Sequence, residues 1–132
     1  MQIIRYHEME KLLTLYTDII GVIEIIKSEL HRVAEDEQEK GKQLIKLKEE
    51  LSILQLTLDK LNIGLKALQV EVREVIMCKY FEGFTWAEIN NKLYVNKQQG
   101  QRMRRKGIDK MCAICRITIR QYQEIMKLLN LQ

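Results

Sequence analysis

Apolar side chains recur along this chain in alternating steps of three and four over three long stretches. The first runs through Met9, Leu12, Tyr16, Ile19, Ile23, Ile26, Leu30 and Val33, the spacing of a helix that buries one seam. Leu13, Ile20 and Val22 widen that stripe, which predicts a bundle helix with several neighbours rather than a lone two-stranded coil. The second passes through Leu44, Leu47, Leu51, Leu54, Leu58, Leu61, Leu65, Leu68, Val72 and Val75. The third takes Ile108, Met111, Cys115, Thr118, Tyr122, Ile125 and Leu129, and reads as the continuation of one extended last helix. Strand-like alternation is not needed anywhere, and the pattern predicts an all-α fold.

Between the first two seams, Ala34 to Gly41 reads AEDEQEKG and contains no large apolar residue. A solvated turn near Gly41 would make the two seams a long helical hairpin or, across chains, a dimeric bundle. Gly64 lies inside the second seam, where a glycine weakens a helix by about 1 kcal/mol relative to alanine. Two outcomes stay open: a helix that continues in phase, or a new one that begins near Gln69 or Val70.

The stretch from Arg73 to Met111 is punctuated differently. Gly83 is a left-handed stop, and Thr85 with Glu88 forms a capping box for a short helix reaching Leu93. Trp86, Ile89 and Leu93 supply its buried side, and Val72, Val75 and Ile76 are expected to face the core of the same module. Asn96 is the N-cap of the next helix, which turns Met103, Gly107 and Met111 inward. This predicts three segments: a hairpin over residues 1–68 for oligomerisation or partner binding, a helix-turn-helix over 69–111, and an association helix over 112–132.

Composition supports long helices, since 132 residues include no proline and six glycines. A hydrophobic fraction of 46% against 30% charged residues is enough for a buried core and a charged surface. The net charge of +4 conceals an asymmetry: Lys92 to Arg120 carries nine Lys or Arg and one acid, Asp109, so the remainder is net acidic. A basic segment this local predicts that a polyanion meets one face. The start MQIIRYHEMEK lacks a basic leader followed by an apolar run, and Ile19 to Ile26 is interrupted by Glu24 and is far shorter than the roughly 20 residues a membrane span needs. A cytoplasmic protein with three free thiols, away from membranes, is expected.

The polyanion expected is double-stranded DNA. In the major groove glutamine pairs with adenine and arginine with guanine, each through two hydrogen bonds, which makes Gln98, Gln101, Arg102 and Arg105 the base-reading candidates. Lys97, Arg104, Lys106 and Lys110 lie toward the flanks as phosphate contacts, which fix position and salt dependence. Cys112 and Cys115 invite a metal reading, but a structural zinc site needs four ligands, and only Cys78, His7 and His31 remain as candidates. Buried thiols on a core-facing helix are the simpler reading. The acidic run Glu35 to Glu39 lacks the spaced pattern of a calcium loop. With no Ser-His-Asp set, glycine-rich phosphate loop or paired catalytic carboxylates, neither catalysis nor a cofactor is expected.

The order of elements, and the words YFEGFTWAEI followed by a leucine, a polar turn and a basic helix, resemble region four of bacterial sigma factors. They are similar in particular to small phage regulators of the ArpU type. The resemblance covers about a third of the chain, Leu65 to Met111, on Arg73, Glu74, Val75, Tyr80, Phe81, Gly83, Trp86, Glu88, Ile89 and Leu93. It implies recognition of a promoter-type duplex by the last helix of the module, often beside RNA polymerase. Asn90, Tyr94 and Gly100 stand where the family has alanine, the turn glycine and a buried valine or isoleucine. The small Gly100 and the bulky Tyr94 are expected to compensate each other.

These readings converge on a phage-type transcriptional regulator, a homo-oligomer with a dimer favoured. The sequence shows no counterpart of the promoter-melting segment of sigma factors, which predicts action by recruitment of polymerase. A small terminase subunit that recognises DNA for packaging combines the same parts in a larger ring. A coiled-coil adaptor without DNA binding would need only the three seams.

Overall fold

A computed structural model of the chain describes residues 1–35 and 41–130. Among these residues there are seven α-helices and no strand: α1 (Tyr6–Thr14), α2 (Tyr16–Glu35), α3 (Lys42–Lys66), α4 (Val70–Ile76), α5 (Trp86–Leu93), α6 (Lys97–Cys115) and α7 (Ile119–Leu128). A wider turn of π-helix, Met77–Phe81, extends α4. No helix among the described residues is long and apolar enough to cross a membrane.

The first seam keeps its phase but not its continuity. Met9, Leu12, Ile19, Ile23, Ile26 and Val33 are buried, yet the helix breaks at Leu15, which closes α1 at φ −93° and ψ 5°. Just before it, the Thr14 hydroxyl donates to the Glu10 carbonyl at 2.9 Å, a side-chain bond back to the preceding turn that bends helices. Just after it, the Tyr16 ring stacks on Phe81 at 4.2 Å between centroids, and its hydroxyl donates to Asn62 Oδ1. The bend thus serves two neighbours, with α2 packed on α3 and α1 on α6.

α3 passes straight through Gly64 and stops only at Ala67. The glycine is there for another reason: a Cβ at that position would overlap Cys115 Sγ and lie 3.3 Å from Met111 Cε. α3 and α6 therefore approach more closely than any side chain would allow. Gln69 is extended, at φ −59° and ψ 148°, and α4 begins at Val70. Both features left open by the seam are present, a continuous helix through Gly64 and a new one beginning at Val70.

In the π turn, Glu82 N–H donates to the Met77 carbonyl at 3.1 Å. The extra residue per turn shifts the helical phase, and consecutive residues Tyr80 and Phe81 both pack against the core. Gly83, at φ 68°, then ends the element.

The last seam is where the expectation fails. Spacing predicts one helix through Leu129, but α6 ends at Arg116, in the left-handed region at φ 51°. Thr118 is not a seam residue: its hydroxyl accepts from Gln121 N–H at 3.1 Å while Gln121 Oε1 accepts from Thr118 N–H at 2.9 Å. This capping box starts α7 in a new direction. The intervening residues pair with the extended amino-terminal segment, Ile4 N–H to the Ile117 carbonyl at 2.8 Å and Ile119 N–H to the Gln2 carbonyl at 3.2 Å. Ile117 is fully buried, and α7 packs against α3. The three segments expected from sequence share one hydrophobic cluster, which takes Leu12 and Leu61 from the first, Val72 and Met111 from the second and Ile117 and Ile125 from the third.

Candidate nucleic-acid interface

α6 has two faces of opposite character. Gly100, Gly107, Ile108, Met111, Cys112 and Cys115 are buried, and Met103 is half-buried against the core. Lys97, Gln98, Gln101, Arg102, Arg105, Lys106 and Lys110 are exposed. Gln98, Gln101, Arg102 and Arg105, together with Arg104, line one open groove. Asp109, the only acid on this helix, is exposed as well.

Local chemistry fixes how α6 enters that position. At α5, Thr85 Oγ1 accepts from Glu88 N–H at 3.2 Å and Glu88 Oε1 accepts from Thr85 N–H at 3.0 Å. At α6, Asn96 and Gln99 make the equivalent pair at 2.9 and 3.2 Å. The bonds to the Thr85 backbone and hydroxyl groups hold the Glu88 carboxyl below its ordinary pKa. Tyr94, Val95 and Asn96 join the two helices, and Tyr94 ends α5 in the left-handed region at φ 57° and ψ 37°.

Close packing then holds α6 down through glycine. A Cβ at Gly107 would meet Val72 Cγ1 at 2.6 Å and Ile76 Cδ1 at 2.7 Å, both on α4. One at Gly100 would meet the Trp86 ring at 2.5 Å. Gly100 is therefore matched to Trp86 and not, as its sequence pairing with Tyr94 suggested, to the turn residue: Tyr94 is 88% exposed. Of the expected helix-turn-helix core residues, Val75 and Ile89 are fully buried, whereas Trp86, Leu93 and Met103 are half-buried.

Arg104 also departs from expectation. Its place in the sequence assigns it to phosphate at the flank, but its side chain is only 24% exposed and its guanidinium turns inward. It lies 5.4 Å from the Trp86 ring centroid and 3.9 Å from Glu10 Oε2, and its Nε is buried without a hydrogen-bond partner among the described residues. Glu10 in turn accepts from the Tyr80 hydroxyl. Burial first, and then this bond to Glu10, push the Tyr80 phenol above its ordinary range. The amino-terminal α1, the π turn and α6 thus meet in one polar cluster. Nothing in the sequence flags it, because Glu10 and Tyr80 are 70 residues apart.

Two further ring contacts surround α5. Lys79 Nζ sits 5.0 Å from the Trp86 centroid, and Lys92 sits 5.3 Å from that of Phe84 while bridging Glu82 at 3.3 Å. These pairings occupy Lys79 and Lys92 within the protein.

Both thiols of the Cys112/Cys115 pair are buried. Cys115 Sγ donates to the Lys60 carbonyl at 3.1 Å. Burial, with Asp109 next for Cys112 and Cys112 next for Cys115, pushes each thiol up to about 11. Among the described residues no group of three or more His, Cys, Asp or Glu side chains could hold a metal ion. The acidic run that begins at Glu35 continues through residues 36–39, which lie outside the described residues. Comparison with protein-family models, curated proteins and solved structures finds no match.

Proposed function

We propose that this protein is a sequence-specific, double-stranded DNA-binding transcriptional regulator, in which α5, the turn at Tyr94 and α6 act as a helix-turn-helix. α6 would lie in the major groove with Gln98, Gln101, Arg102 and Arg105 toward base edges and Lys97, Lys106 and Lys110 toward phosphates. The single observation that carries this reading is the division of α6: two glutamines and three arginines line one open groove, and all of them but Arg104 are exposed. Its other side is seated by glycine against α4 and α5, so the exposed face is presented on a rigid support. Such a face matches the donor and acceptor code of the major groove. Arg104 is left out of the contact set, since it serves Trp86 and Glu10.

The resemblance of residues 65–111 to sigma region four supports promoter-type DNA as the target and recruitment of RNA polymerase as the mode of action, in a phage or prophage setting. A helical hairpin of α2 and α3 would serve dimerisation or polymerase contact, which two-fold DNA half-sites require.

Selection of bound fragments from random and phage duplex DNA, followed by binding titrations on the selected site, tests this reading. Arg102→Ala or Arg105→Ala should lose roughly 1 to 3 kcal/mol on the selected site and much less on unrelated duplex, while Lys97→Ala should weaken both and flatten the salt slope by about one unit. Equal losses on every sequence from the arginine changes would reject base reading. Failure to bind any duplex at low salt would reject DNA binding altogether.

A further inference from the structure

Tyr94 combines two properties that oppose each other in a residue with a structural role. Its backbone is left-handed, φ 57° and ψ 37°, where a Cβ crowds the carbonyl oxygen and where glycine, or less often asparagine, is the ordinary occupant. Its side chain is 88% exposed, so no packing of the ring offsets that strain. The other positive-φ positions are Gly41, Gly83, Asn130 and Arg116, which leaves Tyr94 as the only aromatic among them in the described residues. Its backbone N–H closes α5 on the Asn90 carbonyl at 2.8 Å, a bond that glycine would make equally well without the strain, so a large exposed ring kept at this position points to a contact made with something else.

The location narrows what that is. Tyr94 lies two residues before Asn96, the N-cap of α6, at the same end of the helix as Lys97 and Gln98. Exposed basic side chains follow it at Lys97, Arg102, Arg105 and Lys106, a setting for a polyanion and not for an apolar partner. A phenol hydroxyl is a neutral donor, and tyrosine is among the side chains that hydrogen-bond phosphate oxygens along the groove wall. We infer that Tyr94 is a phosphate contact of the bound duplex, donating its hydroxyl to a backbone oxygen beside the end of the groove where α6 enters. The inference rests on the DNA-binding reading above and adds to it a residue that carries no charge.

Neutrality supplies the test. The full chain would be titrated with its selected duplex and with an unrelated duplex over a series of salt concentrations, as wild type, Tyr94→Phe and Tyr94→Gly. Tyr94→Phe keeps ring and backbone and removes only the donor; it should weaken binding by roughly three- to tenfold, equally on both duplexes. The salt slope should not change, because no cation is lost. Tyr94→Gly should weaken binding at least as much while its Tm rises, since the strain is relieved. Affinity lost with stability gained separates a contact from a scaffold residue.

Wild-type affinity in Tyr94→Phe, with the wild type binding duplex well, would overturn the phosphate contact and leave the DNA reading standing. A loss confined to the selected duplex would overturn it in favour of a base contact. A lower Tm in Tyr94→Gly would overturn the strain argument, and a changed oligomer mass in either variant would assign the ring to a protein interface. A wild type that binds no duplex at all would remove both readings together.

Discussion

The pair α2 and α3 and the pair α5 and α6 are both helices packed on helices, yet they are held by different means. α2 and α3 meet through layers of large side chains, with Ile19, Ile23, Leu54 and Leu61 buried. α3 has no side-chain cap at its start, where Gly41 stands. α5 and α6 are short or strongly polar, and each begins with a reciprocal capping box. Where they meet, a glycine is seated against an indole, with Arg104 beside the same ring. A long amphipathic pair draws its stability from area, so no single local signal is critical. A short helix buries little, and its direction depends on caps, stops and close approach.

Removing area from the first pair should therefore have the largest effect. Leu54→Ala empties a fully buried position in the α3 seam and should cost about 2 to 5 kcal/mol, depending on how far α2 and α3 collapse. Urea unfolding with the slope held constant measures it. A loss below about 1 kcal/mol would mean that the seam is looser than the burial of Leu54 indicates.

Adding a single methyl group probes the second kind of packing. Gly107→Ala would press a Cβ to 2.6 Å from Val72 Cγ1, a stiff β-branched side chain, and should cost about 1 to 3 kcal/mol by forcing α4 and α6 apart. Gly21→Ala in α2 is the matched control: no atom lies within 4 Å of its added Cβ, so helix propensity alone should stabilise by about 0.5 to 1 kcal/mol. The same substitution thus has opposite signs in the two regions. Stabilisation at both positions, read from the same denaturant curves, would remove the distinction.

The contrast also explains what sequence can and cannot convey. Period locates the buried residues of the seams, and Met9, Leu12, Ile19, Leu54, Leu61 and Val75 lie where spacing puts them. The capping box at Thr85 and the N-cap at Asn96 are legible, and the structure adds Gln99 as the partner that completes a box at Asn96. Thr118 has its partner too, in Gln121, but it also falls on the seam spacing, and there period masks the cap. The division of α6 into an inner and an outer face is readable for Gln98, Gln101, Arg102 and Arg105. The inward turn of Arg104 is not, because Glu10 and Trp86 approach it only through tertiary folding. Gly64, Gly100 and Gly107 look like weaknesses in a helix, and only the neighbouring helices show that each is a contact.

The smallest expected effect lies at the cap of α5. Glu88 accepts from Thr85 N–H, and its carboxyl is held below its ordinary pKa chiefly by that bond and then by the Thr85 side chain. A folded-state pKa below the unfolded one adds stability that is present above the unfolded value, about 4.3 for glutamate, and is lost as pH falls through the folded one. Glu88→Gln preserves an acceptor for Thr85 N–H but has no charge to lose. The Tm of the wild type should therefore exceed that of Glu88→Gln at pH 7 by a small margin, and the gap should close as pH falls below about 4. Scans of both proteins between neutral and acid pH read the difference directly, with all other carboxylates in common. A gap that stays constant, or that widens in acid, would mean that the α5 cap is held by geometry and not by charge. The orientation of α5 against α6 would then depend on the Trp86–Gly100 contact instead.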